Sequence, residues 1–129
     1  MKILEKEIEF DFYNLEMMEK FEEYAEKTKK ELNSINFENL KQTDFIKKVC
    51  NIIEECFNGI WGQGTSDLIF EGKKDFRMCI RAFKDLVKAR KEQEEIVSQE
   101  IEELQKELTE ASIKYSPNRA IRRNKQWTY

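Results

Sequence analysis

The sequence predicts a mainly α-helical fold, with a long C-terminal helix and a short β-strand segment near the N-terminus. Residues 75–113 contain neither Gly nor Pro, and their apolar residues lie three and four positions apart, the spacing of one helix face. Residues 14–35 and 42–58 have the same spacing. In contrast, residues 7–12 alternate between acidic and apolar side chains, which is typical of a half-buried strand.

The strand is the first predicted element, and its apolar side consists of Ile8, Phe10 and Phe12. A strand needs a hydrogen-bonding neighbour, and residues 2–4 are too close in the chain for a comfortable hairpin. Pairing within the chain and pairing between two subunits therefore both stay open at this point.

Two amphipathic helices follow the strand. Asn14 is placed to cap the first helix, which is predicted to run to about Ile35. Gln42 or Thr43 opens the second, which is predicted to end near Asn58 and to be the most buried helix, since its apolar residues cover a broad arc.

A glycine-rich corner separates these helices from the last one. Gly59, Gly62 and Gly64 surround Trp61, and a short helix over residues 68–70, capped by residues 65–67, is predicted to end at Gly72. The Gly-Gln-Gly-Thr-Ser segment lacks the lysine of a phosphate-binding loop, so a tight turn is the preferred interpretation. Trp61 either contacts a partner protein as an anchor residue or packs over the core of its own chain.

The long helix has two different halves. Asp75 is placed to cap its first turn, and up to Arg90 the apolar residues form a wide face typical of a globular core. Beyond Glu94 the apolar face narrows to the seam of a coiled coil, with polar flanks. We name this seam the distal stripe; it consists of Val97, Ile101, Leu104 and Leu108.

The distal stripe requires a partner. Two partners are equally favoured, a second copy of the chain in a homo-oligomer and the first helix of the same chain. Arg90 and Glu94 interrupt the seam, either as a buried intersubunit pair or where the helix leaves the core for water. A helix of this length would extend ~58 Å. We therefore expect residues 1–115 to form one helical domain with a projecting helix, and residues 116–129 a basic flexible tail.

Charge is distributed unevenly along the 129 residues. The net charge is −3, but residues 116–129 hold four basic residues and no acid, so the tail is +4 and the rest is −7. Arg119, Arg122 and Arg123 are candidate contacts with an acidic protein surface or, together with Trp127 and Tyr129, with RNA or single-stranded DNA.

The composition argues against catalysis. The chain contains no histidine, the commonest general base and metal ligand, and its three cysteines are an odd number that makes a disulfide framework improbable. No motif for a cofactor or metal is apparent, and no segment has the length and apolarity of a signal peptide or membrane span. We therefore expect a protein that is not an enzyme, binds no cofactor or membrane, and stays where it is made.

Three stretches together resemble a family of small proteins of phages and prophages of Gram-positive bacteria. They are residues 11–23 (DFYNLEMMEKFEE), 57–70 (FNGIWGQGTSDLIF) and 115–123 (YSPNRAIRR). The resemblance implies a tail-morphogenesis protein similar to tail assembly chaperones, which bind the tape measure protein in the bacterial host cytoplasm before the tail tube forms. On this view the distal stripe covers the helical partner and Arg119, Arg122 and Arg123 dock on acidic surface. The alternative is a small helical nucleic-acid-binding or regulatory protein of a prophage.

Overall fold

The computed structural model describes residues 1–115, with the side chains of residues 1–111. Within this range it has a two-stranded hairpin, a short 3-10 turn and four α-helices, so the predicted mainly α-helical fold is confirmed. In chain order the elements are β1 (Lys2–Ile3), β2 (Lys6–Glu7), α1 (Leu15–Asn33), the 3-10 turn (Phe37–Asn39), α2 (Gln42–Trp61), α3 (Thr65–Phe70) and α4 (Phe76–Tyr115). Backbone contacts divide the chain into two compact units, Met1–Arg90 and Lys91–Tyr129.

The N-terminal segment forms a tight hairpin. Strand β1 pairs antiparallel with β2, with Lys2 opposite Glu7 and Ile3 opposite Lys6. The expectation that these residues lie too close together for a hairpin was wrong, because Leu4 and Glu5 take left-handed conformations (φ 48° and 67°), which a two-residue hairpin turn requires. The alternating burial predicted for residues 7–12 is present, although the regular strand ends at Glu7.

Helix α1 begins as predicted, because the Asn14 side chain accepts a hydrogen bond of 3.0 Å from the Met17 N–H. Helix α2 begins at Gln42 but continues past the predicted end at Asn58 to Trp61. Gly59 lies inside this helix, at the point where α2 approaches the Tyr24 ring of α1. Gly62, with φ 112°, then ends the helix.

Helix α3 starts three residues earlier than predicted, at Thr65. The Thr65 hydroxyl donates to the Gly62 carbonyl oxygen (2.7 Å), so it closes the turn instead of capping the helix. The first turn is fixed by Asn58, whose side-chain oxygen accepts from the Ser66 N–H (2.9 Å) and whose amide nitrogen donates to the Ser66 hydroxyl (3.1 Å). Glu71 and Gly72, both with positive φ, end the helix.

Helix α4 is one continuous helix, as predicted for residues 75–113, and the Asp75 carboxylate accepts from the Met78 N–H at 3.0 Å. Its proximal part buries Cys79, Ala82 and Leu86. Helix α2 supplies more of the core than any other described element, as predicted. The buried apolar residues of the core are Ile3, Phe21, Ile35, Val49, Cys50, Ile52, Ile53, Cys56, Phe57, Ile60, Ile69, Phe70, Cys79, Ala82 and Leu86.

Candidate functional site

The distal stripe lies on α4 within the unit Lys91–Tyr129. Three of its side chains are exposed, Val97 by 37%, Ile101 by 49% and Leu104 by 50%, whereas Leu108 is half-buried. At about 100° per residue the four lie within about 60° of one another around the helix axis. The described part of this unit, residues 91–115, is a single helical segment, so among these described residues no second element of the unit covers Val97, Ile101 or Leu104.

The flanks of the distal stripe are strongly and unequally charged. Residues 92–111 contain eight glutamates and one lysine, a formal charge of −7. On one flank lie Glu100 and Glu107, and on the other lie the uncharged Ser98 and Gln105, all four exposed. The surface therefore combines an apolar seam with one acidic border, a composition typical of a helix that packs on another helix.

Arg90 is the last residue of the unit Met1–Arg90, and within that unit it contacts α1. Its guanidinium lies 3.8 Å from the Glu22 carboxylate and 5.9 Å from the centre of the Phe21 ring. Both contacts are of moderate strength at a partly exposed site. Arg90 was considered as half of an intersubunit ion pair, but it has an oppositely charged neighbour, Glu22, in its own chain.

Trp61 forms one wall of a groove beside the hairpin. Its indole N–H donates to the Glu9 carbonyl oxygen at 2.9 Å, and its ring stacks on Phe57 and meets Phe10 edge-on. The indole therefore fastens the N-terminal segment to the end of α2. The groove measures about 590 Å³ and is lined by Lys6, Glu7, Ile8, Glu9, Trp61, Thr65, Leu68 and Ile69. That Trp61 also contacts a partner stays a prediction.

Lys6 closes the groove at its α3 end. Its ammonium group donates to the carbonyl oxygens of Leu68 (2.6 Å) and Ile69 (3.0 Å) and pairs with Glu71 at 3.0 Å. The hydrogen bond from Lys6 lowers the pKa of the Glu71 carboxyl. This cation lies at the C-terminal end of a helix, where the backbone dipole favours positive charge, so its charge already has partners within the fold.

Leu68 and Ile96 are among the exposed apolar residues that were not predicted from the sequence. Leu68 on α3 is 76% exposed at the rim of the groove, and Ile96, beside the distal stripe, is 45% exposed. Leu68 was assigned to a helix too short to show periodicity. Ile96 lies about 100° from Val97, outside the four-three spacing that defined the stripe.

The thiols do not form a reactive centre. Cys50, Cys56 and Cys79 are all free and buried in the unit Met1–Arg90. Burial raises the pKa of Cys56 to about 11, and burial beside Cys50 raises the pKa of Cys79 further. The nucleophilic form of a cysteine is the thiolate, so Cys56 and Cys79 stay in the unreactive thiol form at neutral pH. Across the described residues, no group of three or more cysteines or carboxylates is arranged to hold a metal ion.

The remaining predicted contacts, Arg119, Arg122 and Arg123, lie outside the described residues. Among the helices that are described, none has the length and apolarity needed to cross a membrane.

Comparisons with known proteins give one match. No curated protein and no solved structure matches the chain. A family model covers residues 4–126, which include strand β2, the four helices of the described residues and most of residues 116–129. The chain therefore belongs to DUF6673, a family of unknown function.

Proposed function

We propose that the protein is a non-catalytic assembly chaperone that holds a helical segment of another protein on its distal stripe. The exposure of Val97, Ile101 and Leu104 in register along one face of α4 carries this proposal. A regular row of exposed apolar side chains is unfavourable in water and is typical of a surface that another protein covers. Such a helix can cover an apolar seam of a partner reversibly, which is the action of a holding chaperone.

The partner that we propose is the tape measure protein of a phage tail, in keeping with the resemblance to tail assembly chaperones. A tape measure protein is long and helical, and its apolar seams require cover before the tail tube forms around it. Holding such a chain would take place in the cytoplasm of the bacterial host. The basic tail, through Arg119, Arg122 and Arg123, would add contacts with acidic surface.

The alternative, a nucleic-acid-binding or regulatory protein, depends on the +4 charge of residues 116–129. The rest of the chain carries −7 and repels phosphate backbones. Retention on single-stranded DNA at low salt that is lost on deletion of residues 117–129 would favour this alternative.

Co-expression with the tape measure protein from the same genome tests the proposal. We expect the two proteins to purify together, and we expect the variant Ile101→Asp/Leu104→Asp to lose the partner while its helical content and unfolding midpoint stay unchanged. Ile101 and Leu104 are about half exposed, so the two substitutions leave the core intact.

A matched control adds the same two charges elsewhere on the same helix. Gln99 and Thr109 are exposed and lie away from the distal stripe, so the variant Gln99→Asp/Thr109→Asp should retain the partner. Equal retention of the partner by both variants would contradict the proposal, as would a tape measure protein that never purifies with the wild-type chain.

A further inference from the structure

We propose that the groove beside Trp61 is a further binding surface, which takes up an extended segment of a partner protein as an added strand on the outer edge of β2. The segment that fits is one in which basic and apolar residues alternate. This inference is independent of the function proposed for the distal stripe, because every residue that lines the groove belongs to the unit Met1–Arg90. It is based on the free edge of β2, the apolar lining of the groove and the carboxylate of Glu9.

The outer edge of β2 presents backbone groups that no strand of the described residues pairs with. The sheet consists of β1 and β2, so within this part of the chain β2 has a neighbouring strand on one side only. The Ile8 N–H donates to the Met1 carbonyl oxygen (2.7 Å), and the Met1 amino group donates to the Ile8 carbonyl oxygen (3.0 Å). The direction of these groups alternates along an antiparallel strand. The N–H and carbonyl groups of Glu7 therefore point away from β1.

The groove lies on this outer side of β2. By the same alternation the Glu9 carbonyl oxygen also points away from β1, and there it accepts from the Trp61 indole N–H at 2.9 Å. Glu7 and Glu9 line one side of the groove, and residues of α2 and α3 line the others. The volume of about 590 Å³ is typical of a site that takes up a ligand. A free strand edge beside such a groove is where an extended peptide can add.

The two faces of residues 6–9 differ in character. Successive side chains of an extended segment point to opposite faces. Lys6 and Ile8 are half-buried on the inner face, whereas Glu7 and Glu9 are exposed on the outer one. The apolar side chains that line the groove are Ile8, Trp61, Leu68 and Ile69. Leu68 is 76% exposed at the rim, so an apolar side chain of an added strand would cover it.

Glu9 determines the charge of the partner segment. The Glu7 carboxylate already pairs with the Met1 amino group at 2.8 Å, so it contributes little to a partner. Glu9 takes part in none of the ion pairs of the described residues. A Lys or Arg opposite Glu9 on the added strand would stabilise the pairing. The next residue of that strand would then place an apolar side chain on the face of Ile8, toward the groove.

Two synthetic peptides of about seven residues test the inference. Both contain Lys and Val in the same numbers, but the residues alternate in the first peptide and form two blocks in the second. Only the first therefore presents Lys on one face of a strand and Val on the other. Each peptide is titrated into the isotope-labelled full chain, and the Kd is measured from the amide NMR shifts of residues 6–9 and Leu68. We expect the alternating peptide to bind at least about fivefold more tightly.

Hydrogen exchange of the Glu7 amide distinguishes strand addition from other modes of binding. In the free chain this amide points away from β1 and should exchange fast, whereas the Ile8 amide, bonded to Met1, should exchange slowly. With the alternating peptide at about ten times its Kd, only about one chain in eleven is free, so exchange of the Glu7 amide should slow about tenfold. Exchange of the Ile8 amide should change far less.

Substitutions of Glu7 test the backbone contact. Glu7→Pro removes the N–H that would donate to the added strand, and proline is tolerated on an edge strand where its nitrogen faces away from the neighbouring strand. We expect this variant to lose binding of the alternating peptide. The control Glu7→Ala loses the same carboxylate but keeps the N–H, and it should bind like the wild type. If Glu7→Pro has a lower unfolding midpoint than Glu7→Ala, exchange of the Glu7 amide in the wild type decides the question.

Side-chain substitutions test the charge and the apolar rim. Glu9→Gln should weaken binding of the alternating peptide about two- to fivefold. Glu26→Gln removes the same charge from an exposed position of α1 that does not line the groove, so it should leave the Kd unchanged. Leu68→Ala should weaken binding, whereas Leu15→Ala, at a residue 74% exposed outside the groove, should not.

Each possible result supports or overturns the inference. Preferred binding of the alternating peptide together with slowed exchange of the Glu7 amide supports it. Equal affinities of the two peptides, binding that leaves exchange of the Glu7 amide unchanged, or no binding at about 1 mM peptide overturns it. A dimer of the wild-type chain in which the Glu7 amide exchanges slowly without peptide would assign the edge to a second copy and also overturn it. The distal stripe has a separate test, the loss of the tape measure protein by Ile101→Asp/Leu104→Asp, so the two proposals can fail independently.

Discussion

Gly59 of α2 lies directly against the aromatic ring of Tyr24 in α1, with no room between them for a side chain at position 59. Glycine in the interior of a helix costs about 1 kcal/mol relative to alanine. The close approach of the two helices offsets this cost, because the Tyr24 ring fills the space that a β-carbon would occupy. The contact positions the N-terminal part of the fold on the helix that supplies most of the core.

We expect the substitution Gly59→Ala to lower the free energy of unfolding by about 1–3 kcal/mol, because the added methyl group overlaps the Tyr24 ring. Urea denaturation of the full chain measures the change. In a Tyr24→Ala background the same substitution should be neutral or stabilise by up to about 1 kcal/mol. Equal destabilisation in the two backgrounds would show that the ring is not the cause.

The hairpin turn contains removable strain. Glu5 has φ 67°, a conformation that costs a residue with a side chain about 1 kcal/mol and a glycine very little. Its ion pair with Lys2 (3.6 Å) is exposed and contributes little. Glycine also increases the conformational entropy of the unfolded chain, which offsets part of this gain, so we expect Glu5→Gly to leave the unfolding midpoint in urea unchanged or to raise it by the equivalent of up to about 0.5 kcal/mol.

The control for this prediction is Glu9→Gly. Glu9 is not among the residues of positive φ, so glycine there adds only unfolded-state entropy and should lower stability by about 0.5–1 kcal/mol. If Glu5→Gly destabilised the chain as much as Glu9→Gly does, the strain assigned to the turn would be absent.

Stability should fall in alkaline solution partly because of Cys56. In the unfolded chain this thiol ionises near its ordinary pKa of 9.0, whereas in the folded protein burial raises the pKa to about 11. Between these two values the unfolded state releases a proton that the folded state retains, so the free energy of unfolding decreases as the pH rises. The full difference corresponds to about 3 kcal/mol.

The comparison that isolates this contribution is the variant Cys56→Ala, measured by urea denaturation under reducing conditions from pH 8 to pH 11. The variant is less stable at pH 8 because a buried side chain has been shortened, but its stability should decrease less steeply with pH than that of the wild type. Parallel curves for the two proteins would rule out a contribution from the Cys56 thiol.

Local sequence rules predicted the helices but not their closest contacts. The three-and-four spacing located α1, α2 and α4, and Asn14 and Asp75 cap the helices that they were predicted to cap. The hairpin was missed because Leu4 and Glu5 are not turn-forming residues. Their conformation is supported by a contact distant in sequence, the hydrogen bond from the Leu4 N–H to the Asp85 carboxylate.

The candidate functional surfaces were likewise predictable only in part. The distal stripe was predictable because it lies on one regular helix, where spacing alone determines which side chains share a face. The groove beside Trp61 was not predictable, because its walls come from the hairpin, α2 and α3. The hydrogen bond from Trp61 to the Glu9 carbonyl oxygen joins segments far apart in the chain, and the spacing of apolar residues contains no information about it.

Hydrogen exchange of the backbone amides of α4, with and without the bound tape measure protein, tests the central claim most directly. In the free chain the exposed distal half should exchange faster than the part that contains Cys79, Ala82 and Leu86. On binding, we predict that exchange slows by at least about tenfold over residues 97–108 and changes little in the unit Met1–Arg90. Unchanged exchange over residues 97–108 in a complex of the two proteins would contradict the claim that the distal stripe holds the partner.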